Sequence, residues 1–271
     1  MTRRLIVLGV IPARIGSTRL PRKPLAPLAG KPLVRWVYEA ARRARGLDAL
    51  VVATDSAEVA EIARGFGAEV AMTRGDHPSG TDRVAEVARA RHDAEVIVNV
   101  QGDLPLLPPE YVEAAIAPFL AGGAGGGGGA GGASVSAGSG AAAGAPRMAT
   151  LATRLTDPAE ESDPGVAKVV ADRRGNALYF SRAPIPYAHG AAGAGDGIER
   201  WRQIGIYTFT RETLFEFVAL SPSPLEKAEG LEQLRALENG IAIRIVTVPS
   251  ATPHVDTPED LERVEAILRG R

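Results

Sequence analysis

The stretch RLIVLGVIPARIGSTRLPRKPL, residues 4–25, joins an apolar, β-branched run to a loop that sets Arg14, Arg19, Arg22 and Lys23 among Gly16, Ser17 and prolines. A strand over 4–11 that passes straight into such a loop suits an open α/β sheet, whose ligands bind beyond the carboxyl ends of the strands. Arginine offers phosphate a planar fork of donors and lysine a compact point charge, while Gly16 permits close backbone approach. An isolated run of cations usually faces water. The mixture with Gly, Ser and Pro directly after a strand is what points to phosphate.

Outward from this stretch, strand-like and helix-like segments alternate. Strands are expected over 4–11, 49–54, 68–72 and 95–100, with helices over 32–45, 57–64, 81–91 and 108–120. Beyond residue 147 the pattern predicts strands over 148–156, 166–171, 177–180 and 203–210, and helices over 212–220, 225–238 and 258–268. Apolar strands between helices predict an α/β fold of three layers, α/β/α, around a mainly parallel sheet. Asp55-Ser56 is placed to cap the second helix, and Pro32 and Pro109 fall near first-turn positions. Residues 121–146, rich in Gly and Ala, offer few side chains able to pack, so they read as a flexible insertion within a single domain over 1–271. The Gly/Ala-rich loop 189–197 is expected at the surface.

Composition narrows the function classes. The 31 basic and 32 acidic residues leave a net charge of −1, which argues against a general affinity for nucleic acid. No apolar run reaches the roughly 20 residues needed to span a bilayer, and the short apolar run at the N-terminus ends at Pro12 and Arg14, so it reads as a strand rather than a leader. The chain has no cysteine, hence no disulfide framework and no thiolate metal site, which suits a reducing cytosol. His77, His92, His189 and His254 are scattered, and no pattern resembles a Ser-His-Asp triad, a Walker loop or a GxGxxG fingerprint.

Three other segments carry polar groups where the chemistry is expected. In VNVQGDLPLL, residues 98–107, Gln101 and Asp103 follow a strand directly. A carboxylate there either holds Mg²⁺, which needs one or two carboxylates plus substrate phosphates, or begins a turn before Pro105. In HVDTPEDLERV, residues 254–264, Thr257 to Asp260 are accounted for as a helix cap and first turn, whereas Asp256 is left without such a role. In MTRGDHPSGTDRV, residues 72–84, Arg74, Ser79, Gly80, Thr81, Asp82 and Arg83 follow a strand, and the segment either reads a nucleobase edge or supplies a helix cap at Ser79 or Thr81.

Together, ARIGSTRLPRKPL, TRGDHPSGTDR, VNVQGD-P, VAKVV, LYFSRAPIP, IGIYTF, SPLEKAEGLEQLR and VDTPEDLERV follow the order found in the 3-deoxy-manno-octulosonate cytidylyltransferase (CMP-Kdo synthetase) family, which the chain resembles over nearly its whole length outside 121–146. The resemblance implies a nucleotide-diphosphosugar-transferase-like fold, a cytoplasmic homodimer, Mg²⁺ as cofactor, and the reaction of CTP with the 3-deoxy-2-ulosonic acid Kdo to give CMP-Kdo and pyrophosphate for lipopolysaccharide biosynthesis. It implies that Arg14, Ser17, Arg19 and Lys23 hold the triphosphate and that Arg74, Ser79, Gly80, Thr81 and Asp82 surround the cytidine. Gln101 would touch the sugar acid or ribose, Asp103 and Asp256 would ligate Mg²⁺, and Tyr207, Glu232 and Gln233 would line the sugar pocket. Arg14, Lys23, Asp103 and Asp256 would then carry the catalysis. Arg22, at a position the family leaves variable, reads as surface charge.

The chain departs from the family pattern in places. Leu104 follows Gln101-Gly102-Asp103 where the family usually has Glu, Arg202 is followed by Gln203 where an Arg-His pair is usual, and His189 is the nearest counterpart of an Arg that meets the sugar acid. A sugar carboxylate would lose cationic contacts, each worth roughly 1.5–3 kcal/mol, unless Arg182 or Arg200 supplies them. A related sugar acid, a sialic-type acid or a sugar 1-phosphate would be the alternative substrates. The Kdo-type ending STRLPRKPL favours the first reading.

Overall fold

The computed structural model describes residues 4–17, 19–121, 145–187, 189 and 199–270. In chain order the elements are β1 (Val7–Pro12), β2 (Pro27–Leu28), β3 (Lys31–Pro32), α1 (Leu33–Ala41), β4 (Ala49–Thr54), α2 (Ala57–Gly65), β5 (Glu69–Met72), α3 (Gly80–Ala90), β6 (Val96–Val100) and α4 (Pro109–Ala121). There follow β7 (Met148–Arg154), α5 (Pro158–Ser162), β8 (Lys168–Ala171), β9 (Ala177–Ser181), β10 (Trp201–Thr210), α6 (Arg211–Ala219), α7 (Pro224–Glu229), α8 (Gln233–Glu238), β11 (Ile243–Thr247) and α9 (Pro258–Arg269). Contacts group the described residues into two units, one within Arg3–Ile116 and Thr252–Arg271, the other within Ala117–Ala251.

In the first unit every pairing of the main strands is parallel. β1 lies between β6 and β4, and β5 pairs with β4, with Leu8 opposite Ala49 and Val7 opposite Val96. The chain therefore moves outward from β1 to β4 and β5, then returns to the other side of β1 for β6. That reversal is a topological switch point, and it leaves a crevice beyond the carboxyl ends of β1 and β6. The central strands β1 and β6 are buried along nearly their whole length, as their continuous apolar runs require, whereas the edge strand β5 is not. The helix caps fall where the sequence puts them: Ser56 accepts from the Val59 amide, Ser79 from the amides of Thr81 and Asp82, and Thr257 from that of Asp260.

A small apolar cluster explains how distant segments converge on that crevice. Leu20, Ala26 and Leu28 of the cationic loop pack with Leu33, Val255 and Val264. The loop that bears Lys23 and the segment that bears Asp256 are thus fastened to one core, and the Val255 amide donates to the Asp103 carbonyl at 2.9 Å.

The second unit is mixed. β7 pairs antiparallel with β10 and parallel with β11, while β8 pairs antiparallel with β10 and β9. Between Ile204 and Tyr207 the β10 register slips against Leu151 and Thr150. The Thr150 hydroxyl donates to the Ile206 carbonyl at 2.8 Å and so satisfies the bulged backbone. Lys168 is fully buried, and its ammonium donates to the carbonyls of Asp163, Val166 and Arg182 at 2.6–2.9 Å.

The α/β class expected from the sequence holds, with several corrections. The helix expected over 225–238 is two helices, α7 and α8, because Gly230 adopts a left-handed φ of 63° and ends the first as its C-cap. Strand β11 and the short pair β2–β3 were not expected, nor was α5. The first strand begins at Val7 rather than residue 4, and the helix expected from 32 begins at Leu33 with Pro32 as its N-cap. Most of the 121–146 insertion and of the 189–197 loop lies outside the described residues.

Candidate active site at the parallel-sheet switch point

Residues from the loops after β1 and β6, the start of α3 and the segment before α9 line a cavity of about 270 Å³. Arg14, Ser17, Arg19, Lys23, Gln101 and Asp103 lie on its wall together with Asp256 and Gly80. The β1 and β6 loops approach so closely that a Cβ on Gly102 would stand 2.9 Å from the Pro12 carbonyl oxygen. Only glycine fits there without displacement.

Lys23 opens a 3₁₀ turn spanning Lys23–Leu25 and is the hub of the charges. Its Nζ lies 2.7 Å from Asp256 Oδ1 and 3.3 Å from Asp103 Oδ2, and Arg19 Nη1 lies 2.9 Å from Asp256 Oδ2. Burial would raise the Asp256 carboxyl, but the hydrogen bond and charge of Lys23, with Arg19, outweigh it and hold that carboxyl below the usual range. Asp256 is therefore an anion at neutral pH. Arg14 is exposed on the cavity wall, where it can meet a polyanion. Arg22, in left-handed conformation at φ 57°, pairs with Glu58 on the surface, as its reading as surface charge expected.

Two carboxylates facing one ammonium form a hard-oxygen pair that fits Mg²⁺, which takes one or two protein carboxylates and fills its octahedron with phosphate and water. Among the described residues no third His, Cys, Asp or Glu gathers to make an all-protein metal cage. The donor set matches a cation held jointly with substrate phosphates.

The segment expected around the nucleobase is ordered mainly by its own helix cap. The Ser79 hydroxyl donates to Asp82 Oδ2 at 2.8 Å and accepts from the Thr81 and Asp82 amides. Thr81 is fully buried and its hydroxyl accepts from Asn99, so its side chain is part of the core rather than of the cavity wall. Arg74 is exposed, with Nε 3.4 Å from Asp76.

Sequence reading placed Arg83 in the 72–84 segment but gave it no role of its own. It lines the cavity from α3, its side chain 3% exposed, with Nη2 3.4 Å from Asp55 and Nη1 donating to the Thr73 hydroxyl. The signal was present, since Arg83 falls on the same face as Val84 and Val87, and a charge on an apolar helix face needs a partner.

The residues expected in the sugar pocket belong to the second unit. Gln203 Nε2 donates to Tyr207 Oη at 2.8 Å, Tyr207 donates to Gln233 Oε1 at 3.0 Å, and Gln233 Nε2 donates to Gln203 Oε1 at 2.6 Å. The three side chains close a ring of hydrogen bonds, and the second Gln203 amide proton reaches the Thr150 hydroxyl at 3.1 Å. In a regular strand residues four apart are separated by about 13 Å. The bulge in β10 shortens that span enough for Gln203 and Tyr207 to meet. Burial and the neighbouring Glu232 carboxylate raise the Tyr207 phenol, so it remains a neutral donor. Leu104 is buried, and His189 is exposed. Arg182 spends its guanidinium on the carbonyls of Glu229, Pro164 and Gly230, and Arg200 pairs with Glu161 at 2.8 Å, so both are already engaged.

Residues 8–245 match the profile of the cytidylyltransferase family. The 3-deoxy-manno-octulosonate cytidylyltransferase of Syntrophotalea carbinolica is 48% identical over 97% of this chain and 99% of its own length. The enzyme of the same name from Solibacter usitatus is 44% identical, covering 97% and 94%. A solved structure of CMP:2-keto-3-deoxy-manno-octonic acid synthetase complexed with CTP superposes with a TM-score of 0.84 at 38% identity, covering 98% of this chain and 99% of that one. At 13% identity, 4-diphosphocytidyl-2C-methyl-D-erythritol synthase from Anaerococcus prevotii shares the fold with a TM-score of 0.61.

Proposed function

This chain belongs to the 3-deoxy-manno-octulosonate cytidylyltransferase family of nucleotidyltransferases, and on that premise we propose that it joins CTP to 3-deoxy-D-manno-octulosonate, giving CMP-Kdo and pyrophosphate for lipopolysaccharide biosynthesis. The observation that carries the site assignment is the meeting of Lys23 with Asp103 and Asp256 at the switch point of a parallel sheet.

Arg14, Ser17, Arg19 and Lys23 bind the triphosphate and orient its α-phosphorus. Arg74, Ser79, Gly80 and Asp82 meet the cytidine, with Thr81 acting through the start of α3, and Gln101 meets the ribose or sugar acid. Tyr207, Glu232 and Gln233 receive the sugar acid, for which the ring with Gln203 presents fixed, uncharged polar groups. Asp103 and Asp256 hold Mg²⁺, which when bound supplies concentrated positive charge against phosphate oxygens and lowers the pKa of a nearby hydroxyl. The anomeric hydroxyl attacks the α-phosphorus in line and gives up its proton to water as the bond to the leaving pyrophosphate breaks. Such transfer depends on positioning and charge stabilisation rather than on a covalent intermediate. The protein acts as a homodimer in the cytoplasm. Among the described residues no helix is long and apolar enough to cross a membrane.

Purified protein incubated with Mg²⁺, each nucleoside triphosphate and a panel of sugar acids and sugar 1-phosphates, with pyrophosphate measured, tests the assignment. Release is expected with CTP and Kdo. Release confined to another pair would overturn it.

A further inference from the structure

The loop between β5 and α3, residues 73–79, brings Arg74 and Ser79 toward the nucleotide in the function proposed above. It is held at three places. At its start the Thr73 amide donates to the Thr54 carbonyl at 2.9 Å, and Arg83 donates to the Thr73 hydroxyl. At its end Ser79 caps α3. Its middle is held by one side chain, Glu86, which stands on α3 two turns after the cap.

Glu86 Oε2 accepts the Arg74 backbone N–H at 3.2 Å and is in hydrogen-bonding contact with His77 Nε2. The His77 side chain is 4% exposed, although Arg74 and Asp76, just before it in the loop, are 69% and 74% exposed. A polar ring drawn inward from a solvated loop needs an internal partner, and Glu86 is that partner. Burial would raise the Glu86 carboxyl, but the bonds from His77 and the Arg74 amide outweigh it and keep it below the usual range, hence charged. Nothing in the nucleotide assignment accounts for this carboxylate.

We infer that Glu86 is a positioning residue for the nucleotide: by binding Arg74 N–H and His77 Nε2 together, it sets the course of the 73–79 loop and thereby the reach of Arg74. The inference rests on the reading that this loop meets the cytidine. Its effect belongs to CTP alone, because the loop's other assigned residues are all nucleotide-binding.

The test compares Glu86→Ala, Glu86→Gln and Arg74→Ala for KM of CTP, KM of the sugar acid and kcat. Glu86→Ala is expected to raise KM for CTP about tenfold, the scale of losing one to two ordinary hydrogen bonds, with KM for the sugar acid unchanged within about twofold. Glu86→Gln is expected to restore most of the loss, because its amide oxygen still accepts from the Arg74 N–H. Should Glu86→Ala not fold, Glu86→Asp withdraws the carboxylate from both donors and is read in the same way. If Arg74→Ala raises KM for CTP while the Glu86 variants leave it unchanged, the inference is wrong and the cytidine reading stands. If Arg74→Ala leaves KM for CTP unchanged, the cytidine reading fails and the inference falls with it. An equal rise in both KM values would show a general structural role and overturn the inference.

Discussion

Replacing Lys23 with methionine removes the ammonium that faces both Asp103 and Asp256, and the proposed chemistry makes two opposite demands on the result. Toward CTP the variant loses a charge-assisted contact to the triphosphate, worth roughly 1.5–3 kcal/mol, so kcat/KM for CTP falls by about 10- to 150-fold. Toward metal the variant gains. In the wild type the Lys23 Nζ sits 2.7 Å from one carboxylate and 3.3 Å from the other, with the three side chains 17–26% exposed. A divalent cation competes with that ammonium for the same oxygens. Removing two part-screened pairs of roughly 0.5–1 kcal/mol each should tighten metal binding to the nucleotide-free protein by about five- to thirtyfold. Pyrophosphate release under steady state reads the first effect, and titration of nucleotide-free protein with Mn²⁺ by calorimetry or electron paramagnetic resonance reads the second. A variant with wild-type kcat/KM would refute the triphosphate role of Lys23. A variant with unchanged or weaker Mn²⁺ binding would refute the claim that lysine and metal share one carboxylate pair.

Other substitutions probe the remaining parts. Asp103→Asn should abolish turnover while leaving CTP binding measurable by calorimetry, and unchanged turnover would remove Asp103 from the mechanism. Tyr207→Phe opens the ring with Gln203 and Gln233, which loses two buried hydrogen bonds; unfolding in urea should show a loss of roughly 1–3 kcal/mol, and KM for the sugar acid should rise while that for CTP does not. An equal shift in both constants would dissociate Tyr207 from the sugar. The Asp256 carboxyl has a folded-state pKa below its unfolded value of about 3.9, so its stabilising contribution is complete above the unfolded value and is lost as pH falls through the folded one. The stability difference between wild type and Asp256→Asn should therefore shrink below about pH 4, and a difference constant from neutrality to strong acid would contradict the ion-pair account.

The parts of the fold that are local in origin were legible in the sequence. Strand β4 falls at 49–54, as the β-branched run predicts, and Ser56, Ser79 and Thr257 cap helices because a short side-chain oxygen at the N-cap meets otherwise unpaired amides. Breaks set by one backbone torsion were not. The apolar stripe Leu225, Ala228, Leu231 and Leu234 runs through Gly230 without interruption, and only its φ of 63° shows that the helix stops. The bulge in β10 was likewise hidden, since Gln203 and Tyr207 read as successive strand positions too far apart to meet. Of the site, each loop was visible as a polar segment after an apolar run. The joining of Lys23 to residues 80 and 233 positions away depends on the Leu20–Val255 cluster, which no local pattern encodes. Glu86 escaped notice and Arg83 was given no role because charges on a helix usually face water, and only the packing of α3 shows that these two turn toward the loop.

The central claim is that the charges gathered at the switch point transfer a cytidylyl group to a sugar acid. Mass analysis of the product formed from isotopically labelled CTP and Kdo tests it most directly, with Asp103→Asn run in parallel. The account predicts labelled CMP-Kdo and one pyrophosphate per product with the wild type, and neither with the variant. Absence of CMP-Kdo from active, folded wild-type protein that instead transfers from another nucleotide or to another acceptor would contradict it.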